Sequence, residues 1–220
     1  MRPLEAIELY RFYHSGDDET AALRGVSLQL EPGEFLALTG PSGSGKSTLL
    51  ACLAGLDEPD GGHVQVMGAR LSRRPEAVRA SLRARHIGIM TQSGNLFEHL
   101  TVEANMTLQM SLANEVDPNA VEHLLDVMGL SQRRAARPSE LSGGEAARAG
   151  LAVALSADPQ VLLADEPTAE VDTVTEANIL ELLKDRCRSG GAILVVTHSQ
   201  ELAATADRVL HIRDGRLLHA

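Results

Sequence analysis

Aromatic side chains and positive charge are both scarce in this chain of 220 residues. Aromatic residues make up 2% of the sequence and tryptophan is absent, which argues against a surface that stacks the bases of single-stranded nucleic acid. The formal net charge is −10, so a broad basic surface for nucleic-acid phosphates is also disfavoured. Nucleic-acid binding is therefore not a leading hypothesis.

Cysteines and long apolar runs are scarce as well. Cys52 and Cys187 lie far apart without the spacing of a metal site, so we expect packing residues in a reducing cytosol. No run reaches the roughly 18 apolar residues of a membrane-spanning helix, and the N-terminus lacks the apolar region of a signal peptide. We expect a cytosolic protein that contacts a membrane only through a partner.

The pattern of apolar residues predicts one α/β domain with an insertion. Strands are predicted by alternation or by short apolar runs at 5–12, 22–30, 35–39, 63–67, 87–90, 161–164 and 192–196. Helices are predicted at 47–54, 75–85, 101–113, 118–128, 142–157 and 173–188. This order predicts antiparallel N-terminal strands and a mostly parallel core over 1–91 and 158–220, interrupted by a helical subdomain over 92–157.

The most informative segment is a glycine-rich stretch between a predicted strand and a predicted helix. It fits the G-x-x-x-x-G-K-[ST] loop, whose backbone amides and following helix dipole hold nucleotide phosphates. The motif residues are Gly40, Pro41, Ser42, Gly43, Ser44, Gly45, Lys46, Ser47 and Thr48. Lys46 is expected to reach the β- and γ-phosphates, and the Ser47 hydroxyl to hold Mg²⁺.

The basic residues support this interpretation of the loop. Only two of the 20 basic residues are lysines, Lys46 and Lys184, and the others are arginines. A compact ammonium suits a phosphate loop better than a wide guanidinium does. Genome composition alone would also explain the preference for arginine in this chain. A lysine nevertheless stands at the position where the loop requires one.

Two acids follow the apolar run at 161–164. A hard cation with bound phosphate requires a carboxylate at a strand end beside the loop, and Asp165 fits, through a Mg²⁺-bound water. Glu166 would then lie near the γ-phosphate and could polarise the attacking water. The alternative, a solvated acidic turn, is less favoured once a phosphate loop is present.

A second anion-binding helix start is predicted at residues 141–145, with the sequence LSGGE. Ser142 is a good N-cap, and Gly143 and Gly144 expose backbone amides at the start of the helix. From the residues alone, an ordinary capped helix explains this segment as well as a second ligand site does.

Six motifs, taken in order, resemble those of the ATP-binding cassette (ABC) ATPases over nearly the whole chain. They are Gly40–Thr48, Gln92, Leu141–Glu145, Leu162–Glu166, Asp172 and His198. The resemblance implies a P-loop NTPase (RecA-like) parallel-sheet core with an N-terminal antiparallel β subdomain and an inserted helical subdomain. It implies ATP and Mg²⁺ as cofactors, hydrolysis of ATP to ADP and phosphate, and a head-to-tail dimer with a second copy of the same or a homologous cassette.

The resemblance also assigns individual roles. In the dimer, Ser142, Gly143 and Gly144 of one cassette face the γ-phosphate bound to the other. Tyr13 resembles the aromatic residue that stacks on adenine, although two other aromatic residues of the same segment could be confused with it.

Three further residues carry roles implied by the same family. Gln92 resembles the glutamine that touches Mg²⁺ and the attacking water, and His198 resembles the histidine that contacts the γ-phosphate and positions the catalytic glutamate. Asp172 resembles the aspartate that signals across the dimer interface. Residues 145–147 and 169–171 depart from the usual family pattern, which bears on dimer closure rather than on phosphate chemistry.

Residues 13–28, 55–62 and 141–145 resemble the lipoprotein-releasing and macrolide-export group of that family. This resemblance implies a cytoplasmic ATPase subunit, peripheral on the inner face of the cell membrane, that powers integral-membrane permease subunits without inserting into the membrane itself. The alternative is a soluble ABC ATPase that acts as an assembly factor without a membrane partner.

Overall fold

The structure is a computed structural model that describes residues 1–15, 18–91, 95–114, 116–168 and 171–218. The strands are β1 Leu4–Ser15, β2 Asp18–Leu30, β3 Phe35–Thr39, β4 Gly61–Val66, β5 Ala69–Arg70, β6 Ile87–Met90, β7 Val161–Asp165, β8 Ala192–Val196, β9 Arg208–Arg213 and β10 Arg216–Leu218. The helices are α1 Lys46–Leu53, α2 Glu76–His86, α3 Val102–Ala113, α4 Pro118–Val127, α5 Gly143–Ser156, α6 Thr173–Arg188 and α7 Gln200–Ala204.

The strands form two sheets. A four-stranded antiparallel sheet has the order β2-β1-β4-β5, and a six-stranded sheet has the order β10-β9-β3-β8-β7-β6. In the second sheet every pairing is parallel except that of β10 with β9. The predicted fold class, an α/β core with an antiparallel N-terminal sheet and inserted helices, is confirmed.

The strands β3, β6, β7 and β8 are apolar apart from Thr39 and Asp165 at their carboxyl ends, because both faces of this part of the sheet are covered. Alternate residues of β3 enter different cores: Leu36 and Leu38 pack with α1 and the antiparallel sheet, whereas Phe35 and Ala37 pack with the inserted helices. The six-stranded sheet therefore separates two hydrophobic cores. The helix that follows the phosphate loop, α1, packs on one face of this sheet, and the inserted helices pack on the other.

The helices between β6 and β7 begin at well-formed caps. The Thr101 side chain accepts a hydrogen bond from the Ala104 amide at α3, and Asp117 accepts one from Asn119 at α4. Such caps satisfy amides that have no partner inside the helix. The limits predicted for the helical subdomain, 92 and 157, remain a prediction.

Every strand and helix predicted from the sequence is present, several with small shifts at their ends. β6, β8 and α6 have the predicted bounds, whereas β4 begins and ends earlier than predicted. Cys52 is buried and Cys187 is half-buried, and both are free thiols. None of the helices in the described parts of the chain has the length and apolar character needed to cross a membrane.

Candidate nucleotide-binding and hydrolysis site

The phosphate loop connects β3 to α1 and is enclosed on two sides by backbone. A Cβ atom at Gly40 would lie 2.2 Å from the Ile212 carbonyl oxygen, and one at Gly45 would lie 2.4 Å from the Ala22 carbonyl oxygen. Gly45 precedes the first residue of α1 and has a left-handed backbone with φ 104°, which favours glycine. The two glycines are therefore required for the close packing of the loop.

Two side chains of the loop are placed to bind an anion. The buried Lys46 ammonium donates to the carbonyl oxygens of Gly40 at 2.8 Å and Pro41 at 2.9 Å, so it is held across the loop. The buried Ser44 hydroxyl has no hydrogen-bond partner within the described residues. An unsatisfied buried hydroxyl is unfavourable, so the loop fits a phosphate ligand that would accept from Ser44.

The predicted magnesium ligands are next to each other. The Ser47 hydroxyl donates to the Asp165 carboxylate at 3.3 Å. Burial raises the pKa of the Asp165 carboxyl above its ordinary value. Both groups offer the hard oxygen ligands that Mg²⁺ prefers. Across the described ranges, no cluster of three or more histidine, cysteine or acidic residues could hold a metal ion by itself. The pair therefore fits a cation that takes its other ligands from phosphate and water.

Glu166 follows β7 in a constrained conformation. Its backbone lies in the left-handed region with φ 51°, which non-glycine residues adopt mainly where surrounding contacts impose it. One carboxylate oxygen accepts from the Thr197 hydroxyl at 3.0 Å, and the other accepts from the His198 amide at 2.8 Å. The carboxylate is thus directed towards the end of the neighbouring strand β8.

The phosphate loop, the acidic pair and His198 all follow parallel strands at their carboxyl ends. This is the edge at which open α/β sheets bind ligands. His198 is exposed, and its backbone amide contacts the Glu166 carboxylate. The sheet topology thus brings together three sequence-predicted features. Gln92 lies outside the described residues, and its role remains a prediction.

Thr197 is a site residue that the sequence analysis did not identify. It is fully buried between Glu166 and His198, and its hydroxyl also accepts a hydrogen bond from the Ser199 amide at 3.0 Å. Its place immediately before His198 at a strand end was the available signal. The contact with Glu166 indicates that Thr197 positions the carboxylate.

We expect Thr197→Val to lower kcat for ATP hydrolysis about tenfold, with little change in KM. The reason is that the Glu166 carboxylate loses one of the two donors that orient it, and a hydrogen bond to a charged group contributes about 1.5–3 kcal/mol. Steady-state ATPase kinetics would measure the effect. Thr197→Ser keeps the hydroxyl and should retain most of the activity; equal kcat in the valine variant would contradict the positioning role.

The start of α5 has the arrangement of a capping box. The Ser142 hydroxyl oxygen accepts from the Glu145 amide at 3.2 Å, and the Ser142 amide donates to the Glu145 carboxylate at 2.8 Å. The hydroxyl proton and the amides of the first two helical residues, Gly143 and Gly144, have no partner within such a box. Three donors therefore remain at the start of this helix for an external anion.

Glu145 is a departure from the usual family pattern that the structure explains. The Ser142 amide and the Arg133 guanidinium, 2.8 Å away, lower the pKa of its carboxyl to about 2. The carboxylate is therefore ionised at neutral pH and completes the cap of α5. Arg133 offsets its negative charge beside the predicted anion site.

The remaining predicted residues have distinct surroundings. Tyr10 and Phe12 stack on each other, with ring centroids 6.5 Å apart. Tyr13 lies against the Arg11 guanidinium instead. Tyr13 is 42% exposed and Tyr10 is 40% exposed, so exposure does not distinguish the two, and the role of Tyr13 as the adenine platform remains a prediction. Asp172 caps α6 by accepting from the amides of residues 174 and 175. This cap explains Asp172 locally, while its role across a dimer remains a prediction.

These features define a P-loop nucleotide-binding ATPase of the cassette type. The family model described as ABC transporter matches residues 23–169. The chain belongs to the ABC transporter family, as an ATP-binding protein that hydrolyses ATP.

Proteins similar to this chain align with nearly its whole length. It is 41% identical over 217 residues to the lipoprotein-releasing system ATP-binding protein LolD of Acinetobacter baylyi, an alignment that covers 96% of this chain and 95% of LolD. It is 40% identical to the macrolide export ATP-binding/permease protein MacB of Chlorobium luteolum, covering 96% of this chain and 32% of MacB.

The fold is also that of a solved cassette. The structure of the ATP-binding cassette MJ0796, a dimer in a post-hydrolysis state bound to ADP and Pi, matches with a TM-score of 0.93 and 29% identity. The match covers 98% of this chain and 97% of that one.

Proposed function

We propose that this chain is the ATP-hydrolysing subunit of a membrane transporter, or of a permease that transmits force, of the LolD and MacB type. The observation that carries the proposal is the pairing of a phosphate loop and an acidic pair at one sheet edge with a separate helix start, where the Ser142 hydroxyl proton and the amides of Gly143 and Gly144 lie outside the capping box. A single chain holds two half-sites, which two chains arranged head to tail would combine into two whole ones.

The chemistry proposed for the first half-site is an in-line attack of water on the γ-phosphorus. Glu166 accepts a proton from the water as its oxygen attacks, and ADP leaves with the electron pair of the broken bond. Lys46 and the loop amides stabilise the charge on the phosphate oxygens. Ser47 and Asp165 would hold Mg²⁺, which would neutralise further phosphate charge.

The second half-site would complete the first in a partner cassette. The hydroxyl of Ser142 and the amides of Gly143 and Gly144 would donate to the γ-phosphate bound by the partner. Tyr13 would stack on the adenine, and His198 would contact the γ-phosphate. ATP would thus hold the two cassettes together, and its hydrolysis would release them.

A surface groove supports a permease partner. It lies between α2, α3 and β6 and has a volume of about 580 Å³. Leu56, Phe97 and Leu112 line it and are each more than half exposed, and such clustered apolar side chains mark interaction surfaces. We propose that a short apolar segment of the permease occupies this groove, which would place the chain at the cytoplasmic face of the membrane.

The test is recovery of a complex from membranes. We expect the chain, extracted with detergent from the membranes of cells that express it, to purify with a multi-span permease. Phe97→Asp and Leu112→Asp should reduce recovery at least about tenfold, since each buries an unpaired charge in the interface. Val116→Asp changes an exposed apolar residue that does not line the groove and serves as the control. Recovery with a soluble complex alone would favour the assembly-factor alternative.

A further inference from the structure

Arg11, on β1, and Asp57, in the segment that follows α1, form a bidentate ion pair. The Nε atom of Arg11 donates to Oδ2 of Asp57 at 2.9 Å, and Nη2 lies 2.8 Å from Oδ1. Two parallel bonds of this kind fix both the distance and the relative orientation of the partners. The pair therefore fixes the position of β1 relative to the segment that follows α1.

Tyr13 contacts both members of this pair. Its hydroxyl donates to Oδ2 of Asp57 at 2.8 Å, and the Arg11 guanidinium carbon lies 4.7 Å from the centre of its ring. Such a cation–π contact covers one face of the ring. The hydroxyl fixes one end of the side chain and the guanidinium fixes the ring plane, so one face remains for a planar ligand.

The protonation states of the Asp57 carboxyl and the Tyr13 hydroxyl agree with these hydrogen bonds. Burial opposes ionisation of Asp57, yet the hydrogen bonds from Arg11 and Tyr13 bring its carboxyl pKa below the ordinary value. Burial, assisted by Asp57, raises the pKa of the Tyr13 hydroxyl. At neutral pH the carboxylate is therefore an acceptor and the phenol a donor.

A second carboxylate fixes the same guanidinium. Asp60 accepts from Nη1 of Arg11 at 3.1 Å and from the backbone amide of Phe12 at 2.8 Å. The segment that carries both acids continues directly from α1, whose first residue is Lys46 of the phosphate loop. The contacts thus connect the Tyr13 ring to the same helix that positions the phosphates.

We propose that Arg11 and Asp57 are positioning residues for the base of ATP, and that with Tyr13 they form a tyrosine clamp. The clamp sets the ring at a fixed place relative to the phosphate loop and leaves one face for adenine. This inference rests on the proposed role of Tyr13 as the adenine platform. A preorganised platform improves binding because less freedom is lost when the ligand binds.

The clamp predicts a specific kinetic signature. It contacts the base in the ground state and in the transition state alike, so its loss should raise KM and leave kcat unchanged. We expect Arg11→Met and Asp57→Asn each to raise the KM for ATP about tenfold, the size of a weakened base-stacking contact. Arg11→Lys keeps a cation but not the fork, and should give a smaller rise.

The experiment measures ATPase kinetics and inhibition by inorganic triphosphate, which has phosphates but no base. In the clamp variants the inhibition constant of triphosphate should match that of the unaltered chain. Arg188→Met serves as the control, since Arg188 also pairs with two acids but lies on the surface of α6. Tyr13→Phe removes only the hydroxyl at an exposed position, and should raise KM about threefold without risk to folding.

The outcomes separate the clamp from the adenine platform itself. If Tyr13→Ala leaves KM unchanged, Tyr13 is not the adenine platform, and the proposed role and the clamp both fail. If Tyr13→Ala raises KM but Arg11→Met and Asp57→Asn do not, the clamp alone is overturned. Equal weakening of triphosphate and ATP would also overturn it, because the effect would then lie in the phosphate loop.

Discussion

Glu166→Gln is expected to lower the rate of ATP hydrolysis at least about 100-fold while leaving ATP binding nearly intact. A positioned general base contributes about 10²- to 10⁴-fold to a reaction rate, and a glutamine cannot accept the proton of the attacking water. The substitution preserves the shape of the side chain. The glutamine side-chain oxygen can still accept the hydrogen bond that the His198 backbone amide donates to the Glu166 carboxylate, at 2.8 Å. The variant should therefore fold normally.

The measurement is turnover together with mass in solution. With ATP bound and hydrolysis blocked, the variant should accumulate as a dimer, which light scattering would detect as a doubled mass. Glu201→Gln, which changes an exposed acid on the short helix after His198, is the control and should have normal turnover. Near-normal turnover in Glu166→Gln would rule out Glu166 as the main catalytic base.

The catalytic edge was predictable because each of its parts has a strong local pattern. β3, β7 and β8 are short apolar runs bounded by glycines or polar residues, and parallel pairing then brings their carboxyl ends together. The hairpin of β9 and β10 was missed because both strands are short and largely exposed, with charged residues at many positions. Such a segment does not show the clear alternation of a half-buried strand.

The contacts that tune the site were beyond the reach of local patterns. Thr197 and Glu166 are 31 residues apart, and Arg11 and Asp57 are 46 apart, so only the fold reveals that they meet. Glu145 is different, because the serine three residues before it gives the spacing of a capping box. That local signal was available, although the sequence analysis treated Glu145 only as a departure from the family pattern.

Ser142→Arg is expected to abolish ATP-driven dimerisation while leaving the affinity of each monomer for ATP within about threefold. The new side chain would occupy the space in which the partner's γ-phosphate has to approach the amides of Gly143 and Gly144. The phosphate loop of the same chain is formed by β3 and α1, so it should be unaffected. Loss of the serine cap would destabilise α5 by about 1 kcal/mol, too little to unfold a domain with two hydrophobic cores.

The most sensitive test combines this change with Glu166→Gln, because the blocked enzyme should otherwise form a lasting dimer. Light scattering with ATP should then give the mass of one chain, and a fluorescent ATP analogue should still bind. Ser142→Asn is the matched control, since asparagine keeps a short capping side chain, and it should retain much of the dimer. An ATP-dependent dimer of full yield in Ser142→Arg would contradict a role for α5 in the partner's site. It would leave the start of α5 as an ordinary capped helix.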